Sequence, residues 1–581
     1  MKAAGAATAL TAVSFAAPAA SAEETNCFLG DKSAVTILYT NDVHTYIDKK
    51  SPELTYAAIA ALKKSYEDAG QNVLLVDAGD HIQGTAYGSM DDGETIIKLM
   101  NEAGYDLATP GNHEFDYGMA RAKAVMKEAD FPYISCNWVD LRTGLKVLPT
   151  IKMFTIGGAR IAFVGVTTPE TFTKSTPAYF MNASQTKYIY DILGGDDGQK
   201  LYNAVQKAID KAKFLGATYI IGLGHLGVDP SSSPWTSEEV IAHTTGFDAF
   251  IDGHSHTVME NKQVADASGK AVTLTQTGSY FKNVGKMTIG ADGAITTELI
   301  DTYEGADAAV AATAAEWISA VDDMLGEEIA VGDSKFYIND PATGKRRIRS
   351  GETNLGDFVA DGIYTYFNEI EELHCDIAIM NGGGIRTDVE AGPWSFKTCK
   401  TVSPFGNVAC LMSVTGQQIQ DALEFGARFA GAEGKENGGF LQVAGARYTI
   451  HPMIPNTVQT NDKNVWTGSA AIPRVSNVEI YDKTTGTYQP LDPNATYALA
   501  GMNYTLRNLG DGFAMFDGAT LIKDYVSEDY LVMSSYAAMF GGVDANGLPH
   551  LASANSPLAD YPGYLLNYED PYGAGRIQMI W

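Results

Sequence analysis

Short apolar runs alternate with helix-like stretches through the first half of this 581-residue chain. The runs begin at Val35, Val73, Ile161, Tyr219 and Phe247. Such alternation is typical of a layered α/β or α+β domain, in which each run is a strand. Acids, amides and histidines follow several of these runs, so the pattern predicts a sheet that delivers polar side chains to one edge.

Those polar residues form a candidate metal site. The loops beyond the C-terminal ends of strands in one sheet converge at the edge where α/β sheets bind ligands. In Asp42-x-His44 and His254-x-His256, a spacing of two places both side chains on one face of an extended segment. The candidate ligands are Asp42, His44, Asp80, Asn112, His225, His254 and His256.

The chemistry of this set narrows the choice of metal. Oxygen and imidazole donors without a thiolate suit Zn, Mn, Co or Fe. Seven donors exceed what one tetrahedral ion needs, but they fit two ions about 3.5–4 Å apart that share a carboxylate. A single D-x-H or H-x-H motif is more often structural. Several such motifs in one domain favour a site for two divalent metal ions.

Composition excludes some classes of function. Lysine and arginine total 41 against 70 acidic residues, which gives a net charge of −29. Such a field repels polyphosphate backbones, so we expect no nucleic-acid polymer as a partner. The five cysteines form no C-x-x-C pair, which argues against a zinc ribbon. We expect them to be small buried residues, with one bridge at most among Cys375, Cys399 and Cys410.

The N-terminus is typical of an exported protein. Residues 3–20 are small and apolar, follow Lys2, and lead into Ala20-Ser21-Ala22, which resembles a signal-peptidase site. A membrane anchor is the weaker interpretation, because the segment is rich in alanine and contains Pro18. We therefore expect residues 1–22 to be a signal peptide cleaved near Ala22. The mature chain would be periplasmic, at the cell surface or secreted, with no transmembrane segment.

The composition changes along the rest of the chain and divides it into two parts. Residues 306–325 contain no glycine or proline and predict a long helix, and the sequence beyond it is richer in glycine, tyrosine and polar turns. We expect one domain over residues 33–303, a linker helix over 304–328 and a second domain over 329–581. Residues 171–200 lack clear periodicity and predict a long surface loop.

The order of the motifs resembles a known family. Asp42-x-His44, Gly79-Asp80, Gly111-Asn112-His113-Glu114, His225 and Gly253-His254-x-His256 together resemble the calcineurin-like metallophosphoesterases. The second half adds NGGGIR (381–386), PFGN (404–407) and GDGF (510–513). With these, the chain resembles the secreted two-domain 5′-nucleotidases, which include UDP-sugar hydrolases and ecto-5′-nucleotidase.

The resemblance implies both a fold and a metal centre. It implies an α/β (α+β) fold, with a four-layer β-sandwich-type metallophosphoesterase domain and a mixed α/β substrate-binding domain joined by a long helix. One metal would be held by Asp42, His44, Asp80 and His256. The other would be held by Asp80, Asn112, His225 and His254, with Asp80 shared. His113 and Asp116 resemble the family's catalytic dyad, which stabilises the phosphoryl group or protonates the leaving oxygen.

The same resemblance assigns the substrate contacts. Arg349, Asn381, Gly383 and Arg386 would meet phosphate and sugar, since the planar guanidinium fork matches phosphate oxygens. Phe405 and Tyr504 would stack the base, Asn407 would contact it and Asp511 would accept from ribose. Arg346 and Arg347 are expected to be surface charges. Thr45 and Leu509 replace family glycines, and the segment from Asn503 to Asp511 is one residue longer than usual.

These features lead to one hypothesis and two alternatives. The leading hypothesis is an exported 5′-nucleotidase that uses two-metal-activated hydroxide attack on nucleoside 5′-monophosphates, with nucleoside di- and triphosphates and UDP-sugars as further candidates. One alternative is a 2′,3′-cyclic-nucleotide phosphodiesterase/3′-nucleotidase, which shares the metal half. The other is a non-catalytic nucleotide-binding or adhesive surface protein. The sequence leaves the preferred base, the native metal and the oligomeric state open.

Overall fold

A computed structural model describes residues 33–175, 177–182, 187–432, 434–523 and 526–581. The expected signal peptide, residues 1–22, and Cys27 lie outside the described residues. Within the described ranges, no helix is long and apolar enough to span a membrane.

Two large sheets and one small sheet form the first half of the chain. The first sheet has the strand order Ile295–Ile300, Val284–Ile289, Val35–Thr40, Asn72–Asp77 and Leu107–Ala108. The second has the order Val258–Ala265, Ala271–Thr277, Ala249–Ile251, Tyr219–His225, Ala159–Thr167 and Ile151–Ile156. The small sheet joins Leu145–Lys146, Trp138–Asp140 and Tyr190–Ile192.

Alternation of side chains along each strand creates the layers. Ile37 and Tyr39 share one core with Phe163 and Ile221 of the second sheet, so the two sheets pack face to face. Leu38 points the other way, into a core with the helices that cover the first sheet. Helices cover the outer face of the second sheet in the same manner. The resulting helix–sheet–sheet–helix arrangement confirms the predicted four-layer fold.

Helices of different lengths cover these sheets. Those of the first half are Tyr56–Asp68, Ala86–Ser89, Glu94–Ala103, Gly118–Glu128, Thr171–Lys174, Gln199–Phe214, Ser237–Ala242 and Ala308–Leu325. The last begins where the Asp307 carboxylate accepts hydrogen bonds from Ala309 N (2.9 Å) and Val310 N (3.2 Å). Its residues Val310, Val321 and Leu325 are buried against the first sheet's helices.

The prediction of a surface loop over residues 171–200 is wrong for the described part of that segment. It contains the helix Thr171–Lys174, a 3₁₀ turn at Pro177–Phe180 and the strand Tyr190–Ile192. Phe172 and Phe180 are fully buried in a small aromatic core that includes Trp138. Irregularly spaced aromatic residues fill this core, which is why no periodicity is visible in the sequence.

The second half is built on a five-stranded sheet. Its order is Leu441–Ala444, Ile377–Asn381, Thr496–Met502, Ala409–Thr415 and Thr520–Lys523. A four-stranded sheet has the order Thr487–Pro490, Val475–Asp482, Ala446–Ile450 and Ile577–Met579. Two-stranded ribbons pair Glu328–Gly332 with Gly392–Ser395, and Gln459–Thr460 with Trp466–Gly468.

Both faces of the five-stranded sheet are buried. Its helices are Asn354–Thr365, continued by a π turn at Tyr366–Ile370, and Phe396–Val402, Gly416–Gly426, Asn503–Leu506 and Asp529–Ala538. Met380 and Leu411 pack with Phe358 on one face, while Ile379 and Met412 pack with other helical and strand residues on the opposite face. This half is therefore a mixed α/β unit, as the sequence predicts.

The cysteines of the described residues are buried. Cys375, Cys399 and Cys410 are each 1% exposed or less, and Cys136 is equally enclosed. No disulfide joins any of these four described cysteines, so the bridge considered among the last three is not present in this structure. Each instead fills apolar space in a core, as small hydrophobic residues do.

The parallel strands of the first half place their C-terminal ends together. Val35–Thr40 runs parallel to Asn72–Asp77, and Ala159–Thr167 runs parallel to Tyr219–His225. Asp42, His44 and Asp80 lie in the loops after the first two of these strands, and His225 is the last residue of Tyr219–His225. The site therefore lies at one edge of the two packed sheets, facing the second half of the chain.

The two halves touch at several places. Lys463 Nζ, from a turn of the second half, lies 2.8 Å from Asp191 Oδ1 and 3.8 Å from the ring centre of Phe172. Elsewhere, Lys397 Nζ lies 2.7 Å from Asp322 Oδ1 on the long helix. These contacts fix the cleft between the halves in the arrangement described here.

Candidate active site

Six of the seven predicted ligands fall into groups close enough for a shared ion. In each group, one donor atom from every residue lies within 4.8 Å of the others. The groups are Asp42, His44 and His256; His44, Asp80 and His113; and Asp80, His225 and His254. Asn112 lies beside them and lines the same cavity as Asp80.

Individual distances show how tightly the donors converge. His225 Nε2 is 2.9 Å from Asp80 Oδ2, and His256 Nε2 is 3.3 Å from Asp42 Oδ1. His44 Nε2 is 3.1 Å from His256 Nε2. Two carboxylates and three imidazoles thus bring their donor atoms close together, as the ligands of a divalent cation do.

Outer contacts orient two of the histidine rings. The Nδ1 of His44 donates to the Gln83 carbonyl (2.8 Å), and that of His225 donates to the Ala78 carbonyl (2.7 Å). A carbonyl only accepts, so Nδ1 carries the hydrogen in both rings. The neutral ring then presents the lone pair of Nε2 to the cluster, which is the form that ligates metals.

The local electrostatics favour positive charge at the centre. Burial lowers the pKa of His225, but the Asp80 and Asp42 carboxylates outweigh it and raise that pKa to about 10. Burial and neighbouring positive groups instead hold the pKa of His44 and His256 well below the usual range. The carboxylates thus stabilise positive charge at His225, whereas His44 and His256 favour their neutral forms.

Backbone strain is concentrated at these ligands. Asp42, His44, Asp80, His254 and His256 all have φ between 49° and 79°, a left-handed conformation that is rare for residues with a side chain. Strain of this kind persists only where surrounding structure enforces it, and it clusters at functional sites. These loops are shaped for the donors they carry.

Three positions beside the ligands must be glycine, because neighbouring atoms lie too close to leave room for a Cβ. A Cβ at Gly111 would lie 2.2 Å from Asp80 Oδ1, and one at Gly253 would lie 2.8 Å from His225 Nδ1. A Cβ at Gly79 would lie 2.5 Å from the backbone N of Gly111. The glycines of the G-D, G-N-H-E and G-H motifs therefore leave room for the ligand side chains.

His113 and Asp116 form a hydrogen-bonded pair on a 3₁₀ turn. The distance from His113 Nδ1 to Asp116 Oδ2 is 2.5 Å, and His113 N donates to Asp80 Oδ1 (2.8 Å). Burial lowers the pKa of His113, but the carboxylates of Asp116 and Asp80 outweigh it and leave that pKa above its usual value. The ring is therefore oriented, and the neighbouring carboxylates stabilise its protonated form.

One cavity contains both halves of the predicted site. Its walls include metal-site residues of the first half, among them Asp80, Asn112 and His113. The predicted substrate residues that line the same cavity are Arg349, Asn381, Gly383, Arg386, Phe405, Asn407, Tyr504 and Asp511. The structure therefore brings these two sets of residues to a common space between the halves.

Arginines make one wall of this cavity strongly positive. Arg346 and Arg349 lie 3.6 and 3.8 Å from the single carboxylate of Glu436. Burial and the charge of Arg346 lower the pKa of Arg349 to about 9, and Arg349 Nε is buried without a hydrogen-bond partner among the described residues. Clustered guanidinium groups with unused donors are suited to a phosphate anion.

The expectation that Arg346 is a surface charge is therefore wrong. Its side chain is only 22% exposed and lines the cavity. Arg347 instead turns away, where its Nε donates to the Glu352 carbonyl (2.7 Å) and its guanidinium stacks on Tyr572. Neighbouring side chains at this turn point in opposite directions, so Arg346 enters the site and Arg347 does not.

A network ties the aromatic and carboxylate substrate residues together. Asn381 Nδ2 donates to Asp511 Oδ2 (3.1 Å), and the backbone N of Asp511 donates to the hydroxyl of Tyr504 (3.1 Å). Phe405 lies 5.9 Å from the ring of His113 and 5.6 Å from the guanidinium carbon of Arg386. The Phe405 ring therefore stands between the two sets of residues.

Both glycine replacements keep the backbone conformation that a glycine would favour. Thr45 has φ 61° and Leu509 has φ 57°. The hydroxyl of Thr45 lies 2.7 Å from that of Thr85 and accepts from Thr85 N (2.8 Å). Local hydrogen bonding thus offsets the strain at Thr45, while Leu509 packs at the edge of an apolar core.

Comparison with known proteins is consistent with this geometry. Residues 35–258 match the model of the calcineurin-like phosphoesterase family, and residues 330–518 match that of the 5′-nucleotidase C-terminal domain. The chain belongs to the two-domain 5′-nucleotidase family. As a member of it, the chain is a metal-dependent phosphoester hydrolase that acts on nucleotides.

Individual relatives cover most of the chain. The 5′-nucleotidase of Rattus norvegicus is 27% identical in a 550-position alignment that covers 86% of this chain and 87% of that protein. The trifunctional nucleotide phosphoesterase protein YfkN of Bacillus subtilis is also 27% identical, but the chain spans only 34% of its length. The crystal structure of a 5′-nucleotidase precursor from Thermus thermophilus is 25% identical with a TM-score of 0.74, covering 94% of this chain and 99% of that one.

The donor set of this 5′-nucleotidase family member fits the divalent ions that its phosphoesterase domain implies. Asn112 Oδ1 is buried with no hydrogen-bond partner among the described residues. Buried polar atoms without partners are costly, and coordination removes that cost. Two carboxylates, an amide oxygen and several imidazoles are also the donors that Zn, Mn, Co and Fe accept.

Sequence reasoning missed two carboxylates that organise the site. Glu114 accepts hydrogen bonds from the backbone N of Asp80, His81 and Gly111, at 2.6 to 2.9 Å. It therefore ties two ligand loops together, and its place within G-N-H-E was the available signal. Glu170 contacts His254 Nε2 at 2.9 Å. No motif surrounds Glu170, so only the fold reveals it.

Proposed function

We propose that this family member is an exported 5′-nucleotidase that hydrolyses nucleoside 5′-monophosphates to nucleoside and phosphate. The observation that carries the proposal is the single cavity lined both by the metal-site residues and by Arg386, Phe405 and Tyr504. Phosphate bound near the ligand cluster would leave ribose and base facing the aromatic residues. Export rests on the N-terminal sequence pattern.

We assign the metal centre to seven residues of the first half. Asp42, His44, Asp80 and His256 would hold one divalent ion, and Asp80, Asn112, His225 and His254 the other, with Asp80 shared. When bound, two such ions act as Lewis acids and lower the pKa of water, which supplies the nucleophile. Because no cysteine joins the set, we propose Zn, Mn, Co or Fe.

His113 would act on the phosphoryl group. Its hydrogen bond to Asp116 occupies Nδ1 and fixes the ring, so Nε2 is the nitrogen left to face substrate. In its protonated form this nitrogen donates a hydrogen bond to a phosphoryl oxygen or gives a proton to the departing ribose oxygen. Asp116 holds the ring in that orientation.

The second half would hold the nucleotide. Arg349 and Arg386 supply guanidinium donors to phosphate, and the backbone at Gly383 lies open for close approach because no side chain covers it. Phe405 and Tyr504 would stack the base, with Asn407 at its edge. Asn381 and Asp511, already joined by a hydrogen bond, would meet the ribose hydroxyls.

A substrate panel tests this proposal. Metal-free protein is supplied with Mn²⁺ or Zn²⁺, and phosphate release is measured from AMP, UMP, ATP, UDP-glucose and 2′,3′-cyclic AMP. We expect AMP to be hydrolysed only with metal, and faster than the cyclic nucleotide. Cyclic turnover well above that of AMP would instead indicate the phosphodiesterase/3′-nucleotidase alternative. Binding of AMP without turnover of any nucleotide would favour the non-catalytic alternative.

Matched variants connect that activity to the site. Asn112→Ala removes one proposed ligand, whereas Asn494→Ala changes an exposed asparagine of the second half. We expect the first to lose AMP hydrolysis and the second to retain it. Equal activity of the two variants would show that the metal site is wrongly assigned.

A further inference from the structure

Glu170 lies beside the proposed metal centre without belonging to it. It follows the strand Ala159–Thr167 and is only 5% exposed. Its Oε2 lies 2.9 Å from His254 Nε2 and accepts a hydrogen bond of 2.6 Å from the Ser232 hydroxyl. A buried carboxylate in contact with a candidate ligand can fix the tautomer and the orientation of that ligand.

The contact determines which nitrogen of His254 is available. With the carboxylate accepting at Nε2, that nitrogen carries the hydrogen and Nδ1 keeps its lone pair. The backbone is held as well, because His254 N donates to both oxygens of Asp42, at 3.2 and 2.9 Å. The ring is thus restrained at two points, with Nδ1 as the donor left for the group of Asp80 and His225.

His254 differs in this respect from the other two oriented histidines. His44 and His225 use Nδ1 to donate to backbone carbonyls, whereas His254 uses Nε2 and meets a carboxylate. A carboxylate is a stronger acceptor than a carbonyl and makes the imidazole a better electron donor to a metal. The hydrogen bond of His254 to its carboxylate is therefore expected to affect metal affinity more than the hydrogen bonds of His44 and His225 to carbonyls.

The surrounding structure holds Glu170 in place. It immediately precedes the helix Thr171–Lys174, in which Phe172 is fully buried. The ammonium group of Lys463, from the second half, lies 3.8 Å from the Phe172 ring centre. The carboxylate consequently projects from a segment that is packed on both sides.

We propose that Glu170 is a positioning residue for the second metal ion, the one assigned to Asp80, Asn112, His225 and His254. It fixes the tautomer and orientation of His254 so that Nδ1 faces the ion. The inference rests on the metal centre of the proposed function. Its specific consequence is that loss of Glu170 weakens one of the two ions selectively.

Titration of metal-free protein with Mn²⁺ alone, followed by calorimetry, tests this inference. Glu170→Ala removes the carboxylate, and Glu170→Gln keeps its shape with a weaker acceptor. Glu238→Gln is the matched control, since Glu238 pairs with Lys262 at the surface. We expect two equivalents to bind wild type and the control. For Glu170→Ala the affinity of one equivalent should fall about 10–100-fold, and for Glu170→Gln it should fall less.

Two further readouts separate positioning from a structural role. The melting temperature of the metal-free variants should match that of metal-free wild type, and excess Mn²⁺ should restore kcat to Glu170→Gln. Unchanged affinity for both ions in both variants would overturn the inference, as would equal loss of both ions with a lower melting temperature. Failure of wild type to bind two equivalents would instead refute the proposed two-metal centre, a result visible before any variant is compared.

Discussion

The His113–Asp116 pair shows at the residue scale how a side chain near the ligands is distinguished from a ligand. Its Nδ1 is committed to Asp116 at 2.5 Å, and the backbone N is committed to Asp80. Yet His113 also lies in a group with His44 and Asp80 that is compact enough for an ion. The geometry is therefore compatible with a catalytic role and with a ligating role. Substitution of His113 would remove activity alone in the first case, and a bound metal ion in the second.

We predict that His113→Ala lowers kcat for AMP by about 10²–10⁴-fold while the bound metal stays constant. The reason is that the proposed seven-residue centre is complete without His113. Steady-state kinetics together with elemental analysis of the purified variant provide the measurement. Loss of one metal equivalent would show that His113 is a ligand.

Residues such as these mark what a sequence can and cannot predict. The seven proposed ligands could be named from the sequence because all but His225 lie in short motifs, most of them just after an apolar run. Glu170 could not, because its partner His254 lies 84 positions away and meets it only through the packing of two loops. Arg346 could not be told from Arg347, since the direction of each side chain depends on the local turn.

Loops at the strand ends determine the site at the scale of elements. Gly79, Gly111 and Gly253 each sit where a Cβ would meet a ligand or a ligand loop within 3 Å. The strands themselves follow from the short apolar runs, whereas the four layers were implied by the family resemblance. The left-handed backbone of the ligand loops was not predictable, because that conformation is uncommon for any residue with a side chain, even though aspartate and histidine adopt it more often than most.

We predict that Gly111→Ala weakens metal binding by about 10–100-fold, because the new Cβ would lie 2.2 Å from Asp80 Oδ1 and displace that carboxylate. Gly541→Ala is the control, since its Cβ would meet only an ordinary contact at 3.7 Å. Titration with Mn²⁺ measures both variants. Wild-type affinity in Gly111→Ala would contradict the role assigned to this glycine.

At the scale of the whole molecule, the proposed chemistry is divided between two halves that meet at a cleft. The net charge of −29 describes the surface and explains why polymeric nucleic acids are poor partners. Inside the cleft, Arg346, Arg349 and Arg386 gather on one wall of a cavity whose other lining residues include several carboxylates. A small anionic substrate therefore has an attractive site within an acidic protein.

The most direct test of this division compares a nucleotide with a phosphate ester that has no base. Phosphate release from AMP and from glycerol phosphate is measured for wild type, Asn112→Ala and Phe405→Ala. We predict that Asn112→Ala loses activity on both esters. Phe405→Ala should raise KM for AMP by about tenfold or more, as expected for loss of one stacking contact, and should leave glycerol phosphate hydrolysis unchanged. Equal effects of Phe405→Ala on the two esters would contradict a metal half that performs the chemistry and a second half that selects the nucleotide.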